Sequence, residues 1–210
     1  MPSPRQLSRD LRLGRSPDLS RRRGIVALSF VGAAAGMVVG AYQMGLIRRL
    51  PSLPFRVFDA ERVDASDYAY KRAQTPDALL MLVTYGITAV LAGAGGKHRA
   101  RQTPLLPIAL AAKTIYDSAV ALKLGQEEWA ENKALCDYCQ AATVASIASV
   151  ALALPEAARA VDTLMQRTGV SEGTEERRRR KALRDLELAE DAARMAGGTA
   201  YADPEYAGAE

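Results

Sequence analysis

The chain has 210 residues, a formal net charge of +4, one His and two Cys. Two cysteines are too few for a disulfide scaffold, and with one His they cannot close a four-ligand zinc site within one chain. Charges gather at the two ends and apolar residues in four runs between them, a pattern that sets aside an ordinary soluble domain and points to helices packed in lipid.

Residues 1–23 carry seven Arg and two Asp among Ser and Pro, and read as a disordered basic tail ending in Arg21-Arg22-Arg23. The run that follows is too long for a secretory signal peptide and offers no small-residue cleavage pattern. Residues 24–47 hold no charge over 24 positions. As a helix that is about 36 Å, enough to cross a bilayer. Gly32, Gly36 and Gly40 share one face of it and predict a close helix–helix contact.

Residues 50–77 form a polar loop with Pro51, Pro54 and Pro76, and with a segment, Phe55 to Tyr70, that suits a short amphipathic helix on the membrane surface. Asp64-Ala65-Ser66-Asp67 offers an N-cap for it. The second span covers 78–95 and ends at the basic cluster Lys97 to Arg101. The third covers 104–122, with Pro104 and Pro107 in its first turn. Lys113 and Asp117 lie at its middle on one face, either as an ion pair joining two helices or as the polar wall of a ligand pocket or proton path. Trp129 suits an interface anchor in the short loop that follows.

Leu135-Cys136-Asp137-Tyr138-Cys139-Gln140 opens the fourth span, 137–154. A C-x-x-C pair at a helix N-terminus meets unpaired N–H groups and partial positive charge, which favour thiolate and make a redox dithiol. Residues 159–210 form a charged tail, with a helix from about 175 to 195 capped by Thr174 and disorder from 197 onward. Its four-Arg run is followed at once by acidic residues, so it reads as a solvated juxtamembrane helix rather than a nucleic-acid patch.

Four spans put both termini on one side. That side holds 19 Lys and Arg and the other holds eight, with Lys113 inside a span, so the termini are expected in the cytoplasm and Cys136 and Cys139 at the outer face of the inner membrane. The fold class is thus an all-α integral membrane protein, a four-helix bundle with polar tails.

A four-span bundle with Cys136-Asp137-Tyr138-Cys139 at the outward start of the fourth helix resembles the vitamin K epoxide reductase family. Several other features look like a short bacterial branch of it: Arg21 to Ile25, Leu50-Pro51, Leu53-Pro54, Ser66-Asp67 with Tyr70, Pro76, Tyr85-Gly86 and Leu152 to Glu156. The likeness covers about residues 21–158. It implies a bundle enclosing a quinone of menaquinone or ubiquinone type beside the cysteine pair. Cys139 then exchanges electrons with the quinone and Cys136 with a second cysteine pair in the first loop. This loop holds no cysteine. Cys136 is then expected to meet a separate thioredoxin-like protein or a small thiol, or else the pair is structural or vestigial. Tyr85, Tyr116 and Thr143 are candidates to hydrogen-bond a quinone oxygen, Thr143 best placed because it lies one turn below Cys139.

Overall fold

A computed structural model of the chain describes residues 3–72 and 74–197, with the side chains of these except 170–175 and 194–197. It is built of helices: α1 (Pro4–Leu13), α2 (Pro17–Gln43), α3 (Ala60–Asp64), α4 (Asp77–Gly93), α5 (Arg99–Gln102), α6 (Leu105–Asn132) and α7 (Asp137–Gly197), with a 3-10 turn at Asp67–Tyr70. Extended pairing among the described residues is a single parallel bridge, Phe58 to Leu135. The chain divides into two compact units, 1–163 and 164–210. Three helices are long and apolar enough to cross a membrane: α2, α6 and the Asp137–Gly169 part of α7. α4 is equally apolar but has 17 residues, about 26 Å against a hydrocarbon core of about 30 Å.

The glycine face of α2 meets α4. A Cβ on Gly32 would lie 2.4 Å from the Tyr85 ring, and one on Gly36 would lie 3.2 Å from the Ala78 carbonyl oxygen. Only a missing side chain permits that approach, as the sequence pattern predicted. At the other end of these two helices Arg22 enters the bundle. Its guanidinium donates to the carbonyls of Ala92, Gly93, Ala94, Gly95 and Gly96 at 2.7–3.1 Å, and so caps the C-terminus of α4. Arg99 completes this cap with bonds to the Leu91 and Ala94 carbonyls, and forms a two-pronged pair with Glu156 at 2.9 and 2.8 Å. Arg99 is 0% exposed and Glu156 3%.

Several expected boundaries move. The N-terminal tail is not disordered through 23: Ser3 and Ser16 cap α1 and α2 by accepting from Gln6 and Leu19 N–H groups, and each helix opens with Pro at its first position. Arg23 closes the intervening turn on the Leu11 and Gly14 carbonyls. α6 runs ten residues past the expected span, to Asn132, and stops where Lys133 takes a left-handed conformation. α7 does not end at Pro155, although that residue lacks an N–H to bond the preceding turn. The neighbouring Glu156 anchors the helix there to Arg99. Thr174 lies inside α7 rather than at a helix start. In the second unit Arg180 pairs with Glu176. Residues 198–210, expected to be disordered, lie outside the described residues.

Candidate functional site: a thiol pair on a cavity wall

Cys136 sits at the N-cap of α7. Its Sγ accepts the Cys139 N–H at 3.3 Å, the place a Ser or Asp oxygen usually takes. Its own N–H donates to the carboxylate of Glu128, which is 3% exposed and also accepts from Gln140 Nε2 at 3.2 Å. Both cysteines are free thiols. Cys136 is 0% exposed, packed with Leu50, Ala60, Val63 and Tyr68 of the first loop. The loop is therefore a cap on the cysteine end of the bundle, and its one α-helix, α3, spans five residues.

Several ties hold that cap. Asp59 N–H donates to the Leu135 carbonyl at 3.1 Å, and Leu135 N–H donates to Val57 at 2.8 Å. Tyr68 donates its hydroxyl to the Leu124 carbonyl at 2.7 Å. Lys71 and Arg72 pair with Glu131 and Glu127 of the polar end of α6. α3 is capped by Asp59, which accepts from Arg62 N–H at 3.0 Å, while of the expected capping segment 64–67 Ser66 takes the N-cap position of the 3-10 turn without a side-chain capping bond. Asp64 instead turns inward. It is 1% exposed, its Oδ2 has no partner among the described residues, and its carboxylate lies within 4.8 Å of both cysteine sulfurs.

Burial and the nearby Asp77 and Asp137 charges push the Asp64 carboxyl up to about 7, against an opposing hydrogen bond from Cys136. The Cys136 thiol is also pushed up, first by its hydrogen bond with Cys139 and then by burial. The helix N-terminus that favours thiolate is thus outweighed here by dry surroundings and neighbouring acids.

A cavity of about 300 Å³ opens beside the pair, at the lower end of the range for small-molecule sites. Leu80, Met81 and Val120 supply apolar wall, and Cys139 and Asp64 face it. Tyr85, Tyr116 and Thr143 all line it. Two of these three hydroxyls are engaged: Tyr85 donates to the Ala142 carbonyl, and Thr143 donates to the Cys139 carbonyl at 2.9 Å. Tyr116 has no hydrogen bond among the described residues and is 69% exposed at the cavity rim. Cys136 does not line the cavity. Asp117 does, so it is part of the polar wall. Its ion pair with Lys113 lies within α6 and does not join two helices, the tie to α4 being the hydrogen bond that Thr88 Oγ1 donates to Asp117.

Asp64 and Glu128 escaped the sequence reading as site residues. Asp64 reaches the thiols because the loop folds back over α7, a placement that no spacing in the sequence encodes. Glu128 reaches them across the short turn between α6 and α7, because α6 continues as a helix to Asn132.

Helices apolar enough for a bilayer, with a C-x-x-C thiol pair of which Cys139 faces an internal cavity, define a membrane protein with a buried dithiol site. The model of the vitamin K epoxide reductase family matches residues 24–154, more than half of the chain. The chain belongs to that family. No curated protein and no solved structure matches it.

Proposed function

We propose that the protein is a membrane thiol:quinone oxidoreductase serving disulfide chemistry outside the cytoplasm. The observation that carries this reading is Cys139 on the wall of the cavity with Cys136 at its back. Family membership supports it. In this reading the quinone, of menaquinone or ubiquinone type, is a substrate. The apolar wall and its few polar groups suit a ring with two carbonyl oxygens. The dithiol loses two electrons and two protons as the Cys136–Cys139 bond closes, and the quinone becomes the quinol. A thioredoxin-like protein or small thiol then reopens the disulfide and is itself oxidised. Because Cys136 lies under Val63 and Tyr68, exchange there requires the loop to lift.

The membrane domain is 24–158 with four spans, α4 being the short one. Both termini lie in the cytoplasm and the thiols at the outer face. Tyr116 is the hydroxyl best able to donate to a quinone oxygen, with Tyr85 and Thr143 shaping the wall.

Replacing Cys139 by Ser tests the reading. Quinone reduction by membranes supplied with a reduced dithiol is expected to fall to background, and unchanged turnover would overturn it. The second reading, a family member with a structural or vestigial pair, draws on the cysteine-free loop. Under it, mild dithiothreitol leaves an oxidised Cys136–Cys139 bond intact, whereas a redox-active one is reduced readily.

A further inference from the structure

We propose that Asp64 is the proton carrier of the cysteine pair, taking the Cys136 proton as the disulfide closes and passing it into the cavity. The inference rests on the reading of the pair as redox-active. Three observations carry it. The carboxylate lies within 4.8 Å of both sulfurs. It is buried with Oδ2 unpartnered among the described residues, and a carboxylate oxygen left so in a dry place calls for a role beyond structure. It lines the cavity that Cys139 faces, whereas Cys136 does not.

The chemistry needs such a group. Closing the bond breaks two S–H bonds, forms one S–S bond and releases two electrons and two protons. Cys139 can release its proton directly into the cavity. Cys136 cannot: it is 0% exposed and off the cavity wall, in surroundings that disfavour its thiolate. Its thiol must be deprotonated to attack, and Asp64 is the carboxylate within 4.8 Å of both sulfurs. Of the other carboxylates facing the pair, Glu128 is engaged by the Cys136 N–H and Gln140, and Asp77 by Gln43. The electron pair and both protons end on the two oxygens of the quinone. One proton comes from Cys139 and one from Cys136 through Asp64. A carboxyl titrating at about 7 can both accept and release a proton at neutral pH. The sign follows: only ionised Asp64 is a base, so the rate rises with pH through that value and then levels.

The test separates this role from quinone chemistry by oxidising the reduced full-length protein in detergent with diamide, a small diazene that takes two electrons and two protons from a dithiol. Disulfide formation is followed from about pH 5 to 9 in wild type, Asp64→Asn and Asp64→Glu, with a short-chain quinone in parallel. Wild type is expected to show a step near neutrality. Asp64→Asn should be slower by ~10²-fold at pH 7 and lack the step, while Asp64→Glu restores most of the rate. An Asp64→Asn protein with wild-type rate and pH profile overturns the proposal. An Asp64-dependent step with diamide, but no quinone reduction by wild type, upholds the proton role and removes the quinone reading. A pair that neither reagent oxidises overturns both. If Asp64→Asn does not fold, infrared difference spectra of wild type decide. A carboxyl C=O band must change between dithiol and disulfide states, and no change overturns the proposal.

Discussion

The three hydroxyls on the cavity differ in what they can still offer. A quinone oxygen accepts hydrogen bonds, so only an unengaged donor helps it. Tyr85 gives its proton to Ala142 and joins α4 to α7, and Thr143 gives its own to the turn above. Tyr116 on α6 keeps its proton available among the described residues. On the proposed function, Tyr116→Phe should raise the quinone KM about fivefold with little change in thermal stability, since one net hydrogen bond is worth ~1 kcal/mol. Tyr85→Phe should do the reverse, lowering the melting temperature in detergent while leaving KM near wild type. Steady-state kinetics and thermal melts on the two variants check both halves. The cysteines could be picked out from spacing and position alone, because C-x-x-C at the start of an apolar run is a local signal. Which hydroxyl remained unengaged could not, because Tyr85 is bonded to a residue 57 positions away.

Between elements, the bundle is fastened at its two ends by different means. The cysteine end is held by a loop, and the opposite end by charge. There Arg22 and Arg99 together saturate the last carbonyls of α4, and Arg99 carries the only described partner of Glu156. Removing one member of a buried pair leaves the other uncompensated. Arg99→Ala should therefore destabilise the protein by roughly 3–5 kcal/mol, whereas replacing Arg99 and Glu156 together by Met should recover a large part of that loss. Thermal unfolding of the single and double variants in detergent measures it. A double variant no more stable than the single would mean that the bonds from Arg99 to the carbonyls, not the ion pair, dominate. The apolar runs that became α2, α6 and α7 were readable in the sequence because lipid-length hydrophobicity is a strong, local pattern, and α4 was readable as a shorter apolar run. Three features were not. The polar continuation of α6 from Lys123 to Asn132 looks like a loop by composition, but it is held by the cap above it through Glu127 and Glu131. The helical N-terminal segment depends on two serine caps and on Arg23, which bonds carbonyls upstream of it. α7 passes Pro155, and the next residue, Glu156, is held by Arg99 from a distant part of the chain.

At the scale of the whole membrane unit, function depends on which way the bundle faces. The ends of α2 and α6 and the starts of α4 and α7 meet at the thiols, as the Gln43–Asp77 and Phe58–Leu135 links show. The start of α2, the end of α4 and Glu156 of α7 meet at the arginine clamp. The proposed orientation puts the clamp inside and the thiols outside. Its support from charge is the excess of Lys and Arg on the clamp side, 19 against eight. Much of that excess lies in the C-terminal unit, and residues far from a span count less. Near the spans the contest is narrower, with Arg21, Arg23, Lys97, Arg101 and Arg159 against Arg48, Arg49, Lys123 and Lys133. Arg22 and Arg99 also belong to the clamp end, although they are consumed in the bundle. Redox compartment weighs on the same side, since a cycling disulfide persists outside the cytosol. Reporters fused to the C-terminus settle the matter. A green fluorescent protein fusion should be bright and an alkaline phosphatase fusion inactive, because the first folds in the cytosol and the second needs disulfides formed outside it. The opposite pair of results would place Cys136 and Cys139 in a reducing compartment and leave the proposed oxidoreductase without an oxidised partner to sustain its cycle.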